Sequence, residues 1–218
     1  MTSIILFGVG SGIVADYAET CARLKWTIAA AVQNREGRVF FSDQKIIVKP
    51  DAIDPSLAGL SCFCPLFTPQ NRFIACREAL SVGLQCRISL VDPTSVIASS
   101  TRIGAGTYIN AGCVIGGEAN VGRHVLINRA ASVGHHGRIA DFVSIGPGST
   151  IAGEVEIGTG ATIGAGAVVL PKVRVGKFAT IGAGAVVARD VPDSVLVAGN
   201  PATVVRGNLP EFDLREID

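Results

Sequence analysis

One aliphatic position in every six dominates the second half of this chain. From Val91, steps of six reach Ile97, Ile103, Ile109, Ile115, Val121, Ile127, Val133, Ile139, Ile145, Ile151, Ile157, Ile163, Val169, Val175, Ile181 and Val187, so all 17 positions are Ile or Val. Glycine follows at nine of them, from Gly104 to Gly182, and a second small or β-branched residue lies four positions on, as at Ser95, Cys113, Ala131 and Ala179. A period of six suits neither an α-helix nor a stack of hairpins. It suits a short strand that buries one β-branched side chain and then bends at a permissive residue. Three such strands close a triangular coil, with the Ile and Val side chains stacked along its axis. Each buried aliphatic contributes roughly 1.5–3 kcal/mol, so stacked coils share a core that no single coil could support. At roughly 4.8 Å per coil, the repeat predicts a prism about 27 Å tall.

The first 89 residues have a different pattern. "SIILFGVGSG" is an apolar run ending in glycines, and "IVADYAETCARLK" has helical spacing. "TIAAAV", "KIIVKP" and "LSCFCPLF" read as further strands, "PQNRFIACREAL" as a helix with Pro69 near its start, and "CRISLV" as the lead into the prism. Strand alternating with helix predicts a small parallel sheet of Rossmann-like type over 1–89, followed by a β-helix over 90–218. The turn at Gly8, Gly10 and Gly12 lacks the third glycine of a dinucleotide fingerprint, because Ile13 stands there. The second strand ends in Gln33 and Asn34 rather than in the acid such a site needs, so an NAD site is not expected. Gly10, Ser11 and Gly12 form either a turn whose amides hold a diphosphate or a purely structural turn.

Composition narrows the functional classes. Hydrophobic residues make up 48% of the 218, charged residues 17%, and the formal net charge is +1 with no block of like charge. Neither a nucleic-acid groove nor a membrane-surface patch is expected. The N-terminus lacks the basic region of a signal peptide, and no apolar stretch is long enough to span a bilayer. The six cysteines form no CxxC and sit mostly in apolar runs, which reads as reduced, buried thiols in a cytoplasmic protein.

With the unbroken hexads and the small sheet before them, the chain resembles the hexapeptide-repeat sugar acetyltransferases of bacteria. These are related to sialic-acid O-acetyltransferase and to the UDP-4-amino-sugar N-acetyltransferases. The resemblance implies a left-handed parallel β-helix that trimerises, acetyl-CoA bound between neighbouring subunits, and a nucleotide-linked sugar held by the N-terminal domain. It also implies a role in cell-surface glycan biosynthesis, such as that of lipopolysaccharide. In "INRAASVGHHGRIADFVSIGPG", His135 falls on the family's catalytic histidine, and His136 falls where the family keeps an acid.

The chemistry agrees with that placement. Acyl transfer from a thioester needs a base for the nucleophile's proton, and imidazole is suited to this near neutral pH. His135 is two residues past an inward-facing Val133, so it belongs at a bend and not in the core. One coil further on, Gly153 lies on the same face, where the resemblance implies a backbone amide that polarises the thioester carbonyl. His136 cannot orient the base as a carboxylate would. Ser144 stands where the family often has a histidine that contacts the thioester, and a hydroxyl still offers one donor. Ala165 and Ala183, one coil apart, correspond to positions whose backbone contacts the pantetheine arm and the nucleotide end of the coenzyme. Asn110 and Asn128 stack one coil apart, and Asn128 resembles an asparagine seen near the catalytic histidine. Gln33 and Asn34 fall where relatives place acids in the nucleotide site. Thr203, within "GNPAT", stands where lysine is frequent, so phosphate contacts fall to Lys172, Lys177 or Arg206.

The expected activity is acetyl-CoA-dependent N-acetylation of a nucleotide-linked amino sugar, the alternative being O-acetylation of a sialic-acid-type sugar. An amine needs less activation than a hydroxyl, which favours the first. No metal is expected, since His124 and His136 are 12 residues apart on different faces and adjacent His135 and His136 do not converge on one ion. A non-catalytic scaffold role is the remaining class.

Overall fold

The computed structural model describes residues 2–213. The N-terminal unit is built from β1 (Ser3–Phe7), α1 (Val14–Leu24), β2 (Thr27–Val32), β3 (Ile47–Val48), β4 (Ser61–Phe63) and α2 (Pro69–Ser81). Its four strands are all parallel, in the order β3-β2-β1-β4. Continuous apolar stretches such as Ile4–Phe7 and Ala30–Val32 are buried, as both faces of a parallel sheet should be. Lys45 and Ile46, expected at the start of the third strand, fall in a short 3₁₀ turn after Asp43, whose side chain accepts from Lys45 N.

From Leu90 the chain becomes a parallel β-helix of 17 two-residue strands, ending at Val186–Val187. Each strand pairs with the strand 18 residues away, as Ser132 does with Thr150 and Asn120 with Arg138. The strands form three sheets, one per face of a triangular prism. The Ile or Val ending each strand points inward and joins Cys113, Ala119, Val125, Ala131 and their successors in one continuous core. An antiparallel hairpin, Leu196–Gly199 with Ala202–Arg206, closes the end, and Gly199–Ala202 lie at its tip.

The bend does not use the glycine that follows the aliphatic residue as its flexible point. The left-handed residue is three positions past each Ile or Val, from Gly106 to Gly184, and includes Glu118, His124, Ala130, His136, Phe142 and Glu154. The glycine directly after the aliphatic residue serves close approach instead. A Cβ at Gly134 would lie 2.5 Å from Gly153 N, and one at Gly164 would lie 2.4 Å from Ala183 N.

These left-handed residues stack in ladders that give the three prism edges different chemistry. One edge carries Gly112, Ala130, Gly148, Gly166 and Gly184, a second carries Glu118, His136, Glu154 and Lys172, and the third carries His124, Phe142 and Phe178. The third edge and its neighbouring sheet hold the N-terminal unit. Leu90, Tyr108 and Leu126 face outward from the prism yet are fully buried against it, with the rings of Tyr17 and Tyr108 3.8 Å apart. Thr20 and Arg23 of α1 donate to Asp92 at 2.9 and 3.0 Å. Burial pushes the Asp92 carboxyl up, but the bonds from Thr94 and Thr20 and the Arg23 charge outweigh it and hold it below the usual range. Among the described residues, no helix is long and apolar enough to cross a membrane.

Candidate active site

His135 and His136 form the exposed turn between strands Ser132–Val133 and Arg138–Ile139. The turn is pinned to its neighbours in the ladder: His136 N donates to Gly117 O at 2.9 Å, and Glu154 N donates to His135 O at 2.9 Å. The His135 ring lies directly over Gly153. A Cβ added there would sit 2.6 Å from His135 Nε2 and 2.7 Å from Cε1. Among the described residues, the backbone ladder takes no hydrogen bond from Gly153 N–H. A basic nitrogen and an unspent amide thus lie together at one exposed edge, as acyl transfer requires.

The partner of His135 is His136 itself. Their Nδ1 atoms are 3.1 Å apart and the rings meet edge to face at 85°. Two neutral imidazoles can share this bond only if one Nδ1 carries the proton. For His135 Nε2 to act as the base, His135 Nδ1–H must donate and His136 must hold its own proton on Nε2. In that arrangement His136 fixes the tautomer of His135 without supplying a negative charge. In a His136→Glu variant, a carboxylate receiving that bond would stabilise the imidazolium form of His135. The plateau rate should then rise, and the acid limb of the kcat/KM–pH profile should move to higher pH, because the base is protonated more readily. A pH–rate series on both proteins checks this.

Gly153→Ala tests the close contact from the other side. The methyl group displaces the His135 ring, and a fall in kcat of about 10²-fold is expected with little change in melting temperature. Unchanged kcat would show that the ring is free to move away.

Ser144 requires a correction. It is fully buried beneath the N-terminal unit, its hydroxyl donating to Phe67 O and accepting from Arg72 Nη2 at 3.0 Å, so it offers nothing to a coenzyme. The strand position is outward-facing, but this chain docks α2 over it. Asn128 also falls elsewhere. It is buried at the contact with α1, where its Oδ1 accepts from Asn110 Nδ2 at 2.9 Å and Arg129 N at 2.8 Å, on a different prism edge from His135. Ala165 and Ala183 are exposed and stacked, on the edge of small residues.

A second concavity of about 330 Å³ lies at the open end of the N-terminal sheet, lined by Gly8, Gly10, Asn34, Arg38, Leu66 and Asn71 among others. Of the residues expected there, Gly10 and Asn34 line it. Ser11 and Gly12 instead accept from Val14 N and Ala15 N at the start of α1, and Gln33 Nε2 donates to Gly37 O at 3.1 Å. Those bonds engage the Ser11 and Gly12 carbonyls and the Gln33 side-chain amide beside the cavity. Sequence reading missed Arg35 and Arg38, the cations on the loop after β2. Arg38 stacks on the Phe40 ring at 4.6 Å, and Arg35 pairs with Glu78, which also accepts from Asn34 at 2.7 Å.

A family model described as bacterial transferase hexapeptide (six repeats) matches residues 136–171 and 154–189. Over 95% of the chain and 98% of the other protein, the structure superposes on a histidine-to-alanine variant of GDP-perosamine N-acetyl transferase from Caulobacter crescentus, bound to CoA and GDP-perosamine, with a TM-score of 0.82 and 30% identity. The chain belongs to the bacterial hexapeptide-repeat sugar acetyltransferases. Its prism is accordingly a left-handed β-helix. A second member, the acetyltransferase domain of PglB from Neisseria gonorrhoeae in complex with acetyl coenzyme A, is 27% identical over 93% of this acetyltransferase and 98% of that chain, with a TM-score of 0.82. Sequence comparison with curated proteins gives no match.

Proposed function

We propose that this acetyltransferase moves the acetyl group of acetyl-CoA onto the amino group of a nucleotide-linked amino sugar. His135 Nε2 suspended over the unspent Gly153 amide is the observation that carries the reading. The sugar amine attacks the thioester carbonyl, its proton passes to His135 Nε2, the developing oxyanion is met by Gly153 N–H, and the CoA thiol leaves with a proton returned from His135. Residues 1–89 hold the nucleotide, with the turn at Gly10 and the Arg35 and Arg38 cations as diphosphate partners, and residues 90–218 hold the coenzyme. An amine acceptor is favoured because His136 supplies no charge to strengthen the base. The Caulobacter relative, bound to CoA and a GDP-linked sugar, supports the same pairing of ligands.

The working form in this proposal is a homotrimer. Ala165 and Ala183 lie on one prism edge and His135 and Gly153 on another, so a coenzyme touching both sets must lie between two copies. The sheet between those edges presents Val96 and Val114, 65% and 49% exposed, with Val168 and Val186 further along the same face. Turning that face toward a three-fold axis covers the apolar strip and brings one copy's His135 edge against the next copy's small-residue edge.

The test is thermal shift with GDP, UDP, dTDP and CMP, followed by acetyl transfer to an amino sugar carrying whichever nucleotide stabilises the protein. A product that survives mild base is the amide, and one that does not is an ester. If no nucleotide stabilises the protein and no acetylated sugar forms, the proposal fails.

A further inference from the structure

Beneath α2, away from the His135 turn, four cysteines and the third histidine come together. Cys62 and Cys64 lie two residues apart, so both project from the same side of β4 and its extension. Cys76 comes from α2, Cys86 from the segment entering the prism, and His124 from a left-handed corner of the prism itself. The Sγ atoms of Cys76 and Cys86 and the Nδ1 of His124 all lie within 4.8 Å of one another. Cys76 Sγ is 3.4 Å from His124 Nδ1, and Cys62 Sγ is 3.4 Å from Cys86 Sγ. Cys62 and Cys64 flank that close group of three, Cys62 reaching it through Cys86.

Two further observations favour an ion over ordinary thiol packing. First, the imidazole is held in place. It lies flat on Phe142, with centroids 4.7 Å apart and planes at 13°, and its main-chain carbonyl is held by Arg72 Nε at 2.8 Å. Gly106 leaves the space this needs, since a Cβ there would lie 2.4 Å from His124 Nδ1. Second, Arg72 is fully buried, yet every bond it makes goes to a neutral acceptor: the carbonyls of Leu66, Phe67, His124, Phe142 and Val143 and the Ser144 hydroxyl. A nearby anion would further offset the cost of burying this guanidinium. Divalent zinc with three thiolates and a neutral imidazole carries one net negative charge, and Arg72 Nε holds the main-chain carbonyl of the His124 ligand itself.

We propose that Cys76, Cys86 and His124, with Cys62 or Cys64 as the fourth ligand, bind a structural Zn²⁺ ion that fastens the N-terminal sheet to the prism. Soft sulfur and imidazole donors select zinc over magnesium or calcium, and zinc–ligand bonds of about 2.0–2.3 Å place donor atoms near the separations among Cys76, Cys86 and His124, so the fourth thiol closes in as the ion binds. The site is closed by burial, takes no part in acetyl transfer, and does not depend on the acceptor's identity.

Elemental analysis of the full-length protein, purified under reducing conditions without chelator, should give about one zinc per chain. Exchange with Co²⁺ should produce thiolate-to-metal charge transfer and the intense d–d bands of a tetrahedral ion. Cys86→Ser and His124→Asn should abolish both signals, whereas Cys113→Ser, in the prism core, should keep them. Of Cys62→Ser and Cys64→Ser, the one that loses the metal identifies the fourth ligand. The wild-type measurements stand even if a variant fails to fold. The proposal is overturned if reduced wild-type protein neither contains zinc nor retains it after incubation and desalting. It is equally overturned if the Cys86 variant keeps its zinc, or if intact mass shows a Cys62–Cys86 disulfide in the isolated protein.

Discussion

Alanine at position 135 should lower kcat/KM for acetyl transfer by about 10²–10⁴-fold, with the loss carried by kcat. The imidazole contributes to the transition state, where the attacking amine must shed a proton, and much less to either ground-state complex. The nucleotide concavity is framed by Gly8, Asn34 and Arg38, on elements that do not touch the His135 turn, so the thermal shift given by nucleotide should persist. Steady-state kinetics and thermal shift on the same preparation separate lost chemistry from lost folding. An equal loss in both would mean that His135 is structural. Because Gly153 N–H remains, the residual rate should exceed the uncatalysed reaction, as expected when one of two cooperating groups is removed.

Arg72→Met should have the largest effect on stability. Methionine keeps the apolar stem but leaves the carbonyls of His124, Leu66 and Phe142 and the Ser144 hydroxyl without their buried donor. Several such losses together should cost about 3–5 kcal/mol and lower the melting temperature by on the order of 10 °C. Arg72→Lys should recover only part of this, because one ammonium cannot span acceptors that a planar fork reaches at once. Burial already pushes the Arg72 guanidinium below its ordinary value, which measures how far it sits from water. Melting curves for the three proteins, together with limited proteolysis at the junction after Ser81, check this. A Met variant as stable as the parent would mean that the Arg72 bonds add nothing to the junction between the two units.

The prism and the stacking of Gly153 beneath His135 were legible because they follow from arithmetic along the repeat. A period of six fixes which side chains point inward, and 18 residues per coil fixes which turns stack, so the approach of Gly153 to His135 could be read directly. The hydrogen bond between His135 and His136 was not legible, because neighbours meet only where the turn makes residue 136 left-handed. Ser144 and Asn128 were misplaced for a shared reason. Repeat arithmetic identifies outward positions but says nothing about what covers them, and here α1 and α2 do. The thiol cluster was hidden by its spacing, since residues 62, 64, 76, 86 and 124 converge only when β4, α2, the entry segment and a prism corner pack together. Arg72 reads in sequence as one more helical charge.

The stacking of turns makes the proposed catalytic pair a matter of counting. Removing a single hexad between His136 and Gly153 would rotate everything downstream by one face and leave a residue from another edge beneath the base. Removing a whole coil, residues 137–154, would restore every sheet and every ladder. It would also seat Pro171 under His135, and proline has no N–H to offer an oxyanion. Lengths the scaffold tolerates and lengths the chemistry tolerates are therefore different sets, and the second is far smaller.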